Sequence, residues 1–230
     1  MRYLILAASL ASILHAAPLP LFDGKTLTGW EIPAGEEKWW QVRDGVIVGG
    51  SLEQKVPTNL FLASSREFQN FDLKFRIRLV QGKGFMNSGV QVRSQWEPGK
   101  PSMAGYQVDA GIGYWGDLYD EHRRDQKLVG AHDPAALAKV VKDWEWNDYR
   151  ILCEGRRIRS WINGQLTFDF TEKDSLIPLD GKLGIQVHSG GTLLVEIQDI
   201  VIEELPDIPG APTWKATPPP RPVPKAEGSE

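Results

Sequence analysis

Residues 71–79 read FDLKFRIRL. Phe71, Leu73, Phe75, Ile77 and Leu79 alternate with Asp72, Lys74, Arg76 and Arg78. Successive side chains of a strand point to opposite faces, so this period of two gathers all five apolar groups on one side. The stretch is a half-buried antiparallel strand, with one face on a core and the other in water.

The pattern repeats outward from there. Residues 39–50, WWQVRDGVIVGG, form two strands around Asp44-Gly45, a hairpin signal. Residues 149–170 give three more strands, turning at Gly155 and at Asn163-Gly164. GKLGIQVHSG (181–190) and LLVEIQDIVIEEL (193–205) supply the last ones. Helical signal is confined to DPAALAK (133–139), where Asp133 offers a cap and Pro134 a first-turn proline. Many short strands with glycine turns and almost no helix mean a sandwich or a barrel. No fixed-period repeat or break in composition interrupts residues 20–205, so one all-β domain of two antiparallel sheets is expected. Phe71, Phe75, Ile77, Val90, Val92, Ile185 and Val187 should lie between the sheets.

The two ends differ from this core. MRYLILAASLASILHAA has a positive start at Arg2, a short apolar run from Leu4 to Leu14, and Ala16 and Ala17 behind it. That is the layout of a secretory signal peptide over residues 1–17, too short to span a bilayer, and it predicts a secreted or periplasmic protein. The domain should then run from 18 to 206. Residues 207–230, rich in proline, read as an extended disordered tail.

Composition narrows the partners. At 230 residues the chain can bury a sizeable core, and 41% hydrophobic with 24% charged residues is ordinary for a soluble domain. A net charge of −4 offers no general attraction to nucleic acid or anionic lipid. Cys153 is the only cysteine, so no internal disulfide forms; alternating with Ile151, it reads as a small buried apolar residue. No dinucleotide fingerprint follows any strand, so no nicotinamide is expected. Nine tryptophans are more than such a core needs. Flat rings stacking on the apolar faces of a sugar are one use for them.

Three strands carry unusual groups on the side away from the core. In SGVQVRSQ (88–95), Gln91 and Arg93 oppose Val90 and Val92. In GYQVDAG (105–111), Gln107 and Asp109 share a face. In KLGIQVHSG (182–190), Gln186 and His188 do. If these strands are neighbours, amide, guanidinium, carboxylate and imidazole groups meet on one patch, a set suited to hydroxyl and carbonyl oxygens. A solvated outer face usually carries lysine, whereas glutamine recurs on these faces. The segment from Gly111 to Arg124 should close over one end of the patch. Tyr114, Trp115 and Tyr119 would form a wall, with Asp117, Asp120, Glu121, His122, Arg123 and Arg124 adding charge.

These residues have a recognisable pattern. LFDGKTLTGW (21–30), NSGVQVRS (87–94), GYQVDAGIGYWGDLYDEHRR (105–124), WNDYRILCEGRRIRSWINGQ (146–165) and GKLGIQVHSGG followed by IQDIVIEEL (181–205) resemble the 3-keto-disaccharide hydrolase family across Leu21 to Leu205. The resemblance implies a concanavalin-like jelly-roll sandwich. It also implies 3-keto-glucoside 1,2-lyase and 3-keto-2-hydroxy-glucal hydratase chemistry. In one place the chain departs from it: many relatives have a glutamate just before the aromatic-Gln pair, where this chain has Gly105. Asp109 or Glu121 would then have to replace that carboxylate.

The implied chemistry needs a base, an oxyanion stabiliser and an acid, because a ketone at C3 acidifies the C2 proton and elimination expels the C1 substituent. His188 is the base candidate by intrinsic pKa. Arg93, or a divalent metal held by Asp109, Glu121 and His188, would stabilise the enolate. Gln107 and Gln186 would bind hydroxyls, with Trp115 and Arg124 also contacting substrate. Tyr119 or Glu121 would protonate the leaving oxygen. Calcium in a structural role is a further option. An upstream sugar oxidoreductase would have to supply the ketone. The competing reading is a glycan-binding module of the cell envelope that cleaves nothing.

Overall fold

The strand predicted at 71–79 forms and runs on to Gly84, in a computed structural model that describes residues 17–216. In chain order the strands are β1 (Leu19–Pro20), β2 (Trp30–Glu31), β3 (Trp40–Arg43), β4 (Val46–Ser51), β5 (Leu60–Glu67), β6 (Phe71–Gly84), β7 (Ser88–Trp96), β8 (Met103–Ala110), β9 (Leu118–Glu121), β10 (Gln126–Val129), β11 (Asn147–Glu154), β12 (Arg157–Ile162), β13 (Gln165–Thr171), β14 (Lys182–Val187) and β15 (Gly191–Glu204). A 3-10 turn at Glu37–Trp39 and one short helix, α1 (Pro134–Leu137), complete the elements. Asp133 caps α1 as expected, its carboxylate accepting from the Ala136 N–H at 2.9 Å.

All pairings are antiparallel and make two sheets. One has the order β13-β12-β11-β6-β15-β4-β3, with β1 also on β15; the other has the order β10-β9-β8-β7-β14-β5-β2. The predicted jelly-roll sandwich is what the chain adopts. Its core lies where the alternation puts it. Phe71, Leu73, Phe75, Ile77 and Leu79 face Val90, Val92, Ile185 and Val187, all buried in one cluster with Ile151 and Val195. Phe75 stacks on Tyr149 with ring centroids 5.1 Å apart. Cys153 is buried here as expected, and burial pushes its thiol up to about 11.

One irregularity changes which residues reach the outer face. Between Val92 and Gln95, β7 carries one residue more than β8 opposite, and β14 on its other side shows the matching shift. This bulge holds Arg93 at a φ of 51°. Gly105 and Gly181 make room for it. A Cβ on Gly105 would stand 2.7 Å from Ser94 Cα, and one on Gly181 would stand 2.6 Å from the Arg93 carbonyl carbon.

The ends need correction in one respect. The expected leader lies outside the described residues except for Ala17. The expected disordered tail does not begin at 207, because residues 206–214 are tied to the domain. Pro206 O accepts from Asn70, Ile208 N–H donates to Gln69, and Trp214 N–H donates to Asp180 at 2.9 Å. The Trp214 indole N–H also reaches Arg93 O at 3.1 Å. Proline composition hid these anchors, because Ile208 and Trp214 are isolated apolar residues with no period. Residues 217–230 lie outside the described part. No helix among the described residues is long and apolar enough to cross a membrane.

Candidate active site

Strands β14, β7, β8 and β9 stand side by side. Their outward residues therefore meet, as the alternation predicted. The result is a directed chain of hydrogen bonds. Ser94 Oγ donates to Gln91 Oε1 at 2.6 Å, and Gln91 Nε2 donates to Gln107 Oε1 at 3.0 Å. Gln107 Nε2 then donates both to Asp109 Oδ1 at 2.8 Å and to Gln186 Oε1 at 3.1 Å. Gln91 and Gln107 each have both ends of the amide assigned by neighbours, so the chain fixes their orientations. Gln186 is fully buried beneath this network, and its Nε2 finds no partner among the described residues.

Above the network lies a cavity of about 380 Å³. Asp109, Gln107, Tyr119, Glu121, His188 and Tyr114 line it, together with Phe85, Asn87, Gly113, Asp117 and Lys127. Four of these side chains are able to give or take a proton. The His188 Nδ1 lies 2.8 Å from Ser189 O. A carbonyl only accepts, so Nδ1 carries a proton, and Nε2 is the ring nitrogen left for proton transfer. The Phe85 ring meets the imidazole edge-on at 4.6 Å. Asp109 is 6% exposed, and burial pushes its carboxyl up to about 8, with the nearby Asp117 and Glu121 adding to the rise against the Gln107 hydrogen bond. At neutral pH Asp109 is therefore a protonated acid. Gln107 occupies its Oδ1, which leaves Oδ2 for the proton. Tyr119 is pushed up to about 12 by burial and by the surrounding carboxylates, so its hydroxyl remains a donor.

Glu121 completes the set. Burial raises its carboxyl, opposed by the two neighbouring histidines and an Asn59 amide at 3.3 Å. His122 Nε2 stands 3.6 Å from its Oε1. Glu121 is the register partner of Gly105 across β8 and β9. Register partners share a face, so Glu121 stands beside the position that Gly105 leaves without a side chain. A side chain at 105 has no room because the β7 bulge fills the space.

Other residues expected in the site lie elsewhere. Arg93 is turned inward by the bulge. Its guanidinium, 1% exposed, donates to Gln69 O at 2.7 Å, Gly155 O at 2.5 Å and Asn70 Oδ1 at 3.0 Å. Arg124 faces inward as well, donating to Asp120 and, at 2.7 Å, to Glu172 Oε2. Trp115 does not line the cavity with His188; its indole N–H donates to Asp143 at 2.9 Å. It lines a neighbouring cavity instead. Gln186 supports the floor without lining the cavity. Gln107 does line it, but both of its N–H groups are committed to Asp109 and Gln186, so it orients the acid.

The expected metal set does not close on an ion. Asp109, Glu121 and His188 share the cavity, yet among the described residues no three His, Cys, Asp or Glu side chains are grouped to hold one. The sequence reading missed Phe85, Asn87 and Lys127. Asn87 and Phe85 sit before the first residue of β7, where alternation has no bearing. Lys127 arrives only because β10 folds back on β9.

Solved structures share the fold. A candidate glycosyl hydrolase from Parabacteroides distasonis is 22% identical, with a TM-score of 0.60 over 82% of this chain and 94% of that one. The carbohydrate-binding module CBM66 from Bacillus subtilis is 17% identical, with a TM-score of 0.56 over 76% of this chain and 96% of that one. A Bacillus subtilis protein of unknown function with a galectin-like fold is 9% identical, with a TM-score of 0.59 over 83% and 96%. No curated protein matches the chain. The decisive match is to a family model over residues 18–203, nearly all of the sandwich, and by it the chain belongs to the family of 3-keto-alpha-glucoside-1,2-lyase-like domains.

Proposed function

We propose that this protein cleaves 3-keto-glucosides by elimination across C1 and C2 and then hydrates the resulting glucal. The observation that carries this reading is the meeting in one sugar-sized cavity of the His188 imidazole, its Nδ1 held on a carbonyl, and the Asp109 carboxyl, which burial raises to about 8. Elimination needs a base and an acid of that kind present together at neutral pH.

The His188 Nε2 takes the proton from C2, which the C3 ketone has acidified. The electron pair delocalises onto O3 as an enolate, which the Tyr119 hydroxyl and the Lys127 ammonium face as donors. The pair then returns to form the C1–C2 double bond. The C1–O bond breaks, and Asp109 gives its proton to the departing oxygen. Glu121 offsets the positive charge that His188 has gained. In the second half, water adds its oxygen to C1, Asp109 recovers a proton, and the imidazolium returns one to C2. Atoms and charge balance, and the net change is hydrolysis without an oxocarbenium ion, unlike that of paired-carboxylate glycosidases. The ketone comes from an earlier oxidation step on another protein, and export to the periplasm or outside the cell fits the N-terminal sequence.

The test is product release from 3-keto-trehalose by the wild type and by His188→Ala and Asp109→Asn. Each variant is expected to lose about a hundredfold or more in kcat/KM while still binding sugar. Equal turnover by all three would contradict the assignment. Sugar binding by the wild type without any product would instead indicate a glycan-binding module.

A further inference from the structure

A second cavity, of about 500 Å³, adjoins the first and shares Gly113, Asp117 and Lys127 with it. Its other walls differ in character. Ile112, Trp115, Pro134, Leu137 and Val141 are apolar. Its two carboxylates each already hold one partner. Asp143 accepts the Trp115 indole N–H at 2.9 Å, and Asp117 accepts from Lys127 at 3.2 Å. A second sugar ring would face five apolar side chains there, and each hydroxyl set against them without a partner would be a cost. Ile112 at the loop tip is 51% exposed, and Trp115 leans on Tyr149 with centroids 6.4 Å apart. A flat indole held by a hydrogen bond, with an exposed aliphatic group lining the same cavity, is a binding wall for an apolar ring.

We infer that this second cavity is the leaving-group subsite, and that it selects glucosides of apolar, ring-bearing alcohols over disaccharides. The inference rests on the sugar reading of the first cavity. The shared residues place the junction. A glucoside with its ring over Gln107 and its C1 substituent directed past Asp117 and Lys127 spans both cavities. The scissile oxygen then lies near the Asp109 carboxyl, the group that protonates it.

Titration calorimetry with three unoxidised glucosides tests the binding half: methyl glucoside, 2-phenylethyl glucoside and trehalose. The two simple alcohols differ little as leaving groups, so their 3-keto forms test turnover without a bias from leaving-group acidity. The phenylethyl compound is expected to bind about tenfold tighter than either of the others, from the apolar area it buries, and kcat/KM should follow the same order. Trp115→Ala should reduce this preference to about threefold or less. Ala138→Glu should do the same by placing a charge in the cavity from an exposed position, where folding is not at stake. Equal affinity for the three compounds, or a preference that both variants leave intact, overturns the inference. If the phenylethyl preference holds in binding while no 3-keto-glucoside is cleaved, the subsite stands and the lyase reading fails.

Discussion

Asp109 is a carboxyl kept as an acid by what surrounds it, and this makes its behaviour with pH specific. Its folded value of about 8 lies above its ordinary 3.8. The stability it contributes is therefore complete below pH 3.8 and is lost as pH rises through about 8. Denaturant melts of the wild type and of Asp109→Asn, compared from pH 4 to 9, should diverge across that window and run parallel above it. Activity should fall on the alkaline side near pH 8, where the acid loses its proton, and the Asn variant should lack that limb. Arg93 makes the opposite point. Its alternation with Gln91 puts it on the sugar face, yet one extra residue in β7 turns it inward to three oxygen acceptors. Arg93→Met should cost about 2–4 kcal/mol, since it strands buried acceptors. Turnover per folded molecule should stay near wild type; a large loss in kcat at unchanged stability would return Arg93 to the site.

At the scale of elements, the β7 bulge and the β9–β10 turn decide which charged residues face sugar. The turn is held from inside the sandwich by Arg124, which joins Asp120 to Glu172, while the Tyr106 hydroxyl donates to Glu172. Burial alone would raise the Glu172 carboxyl, but hydrogen bonds from Arg124, Tyr106 and the Asp174 N–H outweigh it and hold the group at about 2. Its folded value lies below the ordinary 4.5, so this stability is present above pH 4.5 and lost as pH falls towards 2. Acid titration of Glu172→Gln should show a flatter loss of stability over that interval than the wild type. The bulge yields a further expectation. Gly105→Ala places a Cβ against Ser94 and should destabilise by about 1–3 kcal/mol. Strands and their faces were legible because period-two alternation is a local property, and it put Gln107, Asp109 and His188 on one face correctly. The bulge was not legible, because Val-Arg-Ser carries no turn signal of its own and the space for it comes from glycines on other strands. Arg124 and Trp115 misled for a related reason: in a loop no period fixes direction, and their partners Glu172 and Asp143 are distant in sequence.

The whole molecule is a sandwich whose inner faces supply stability and whose one outer face carries the cavity. Phe75→Ala removes a ring stacked on Tyr149 in the middle of the core and should cost about 3–5 kcal/mol. A chemical melt checks this, and a loss below 1 kcal/mol would mean that the inter-sheet packing is described wrongly. Family membership and the two-sheet fold agree with what the strands and motifs imply. Isotope transfer at C2 separates elimination from ordinary glycoside hydrolysis. The protein would be incubated in deuterated water with 3-keto-trehalose and, separately, with trehalose. The account predicts that 3-keto-trehalose is cleaved with deuterium appearing at C2 of the 3-keto-glucose formed, and that trehalose is untouched. Cleavage of trehalose at a comparable rate, with no deuterium at C2, would contradict it.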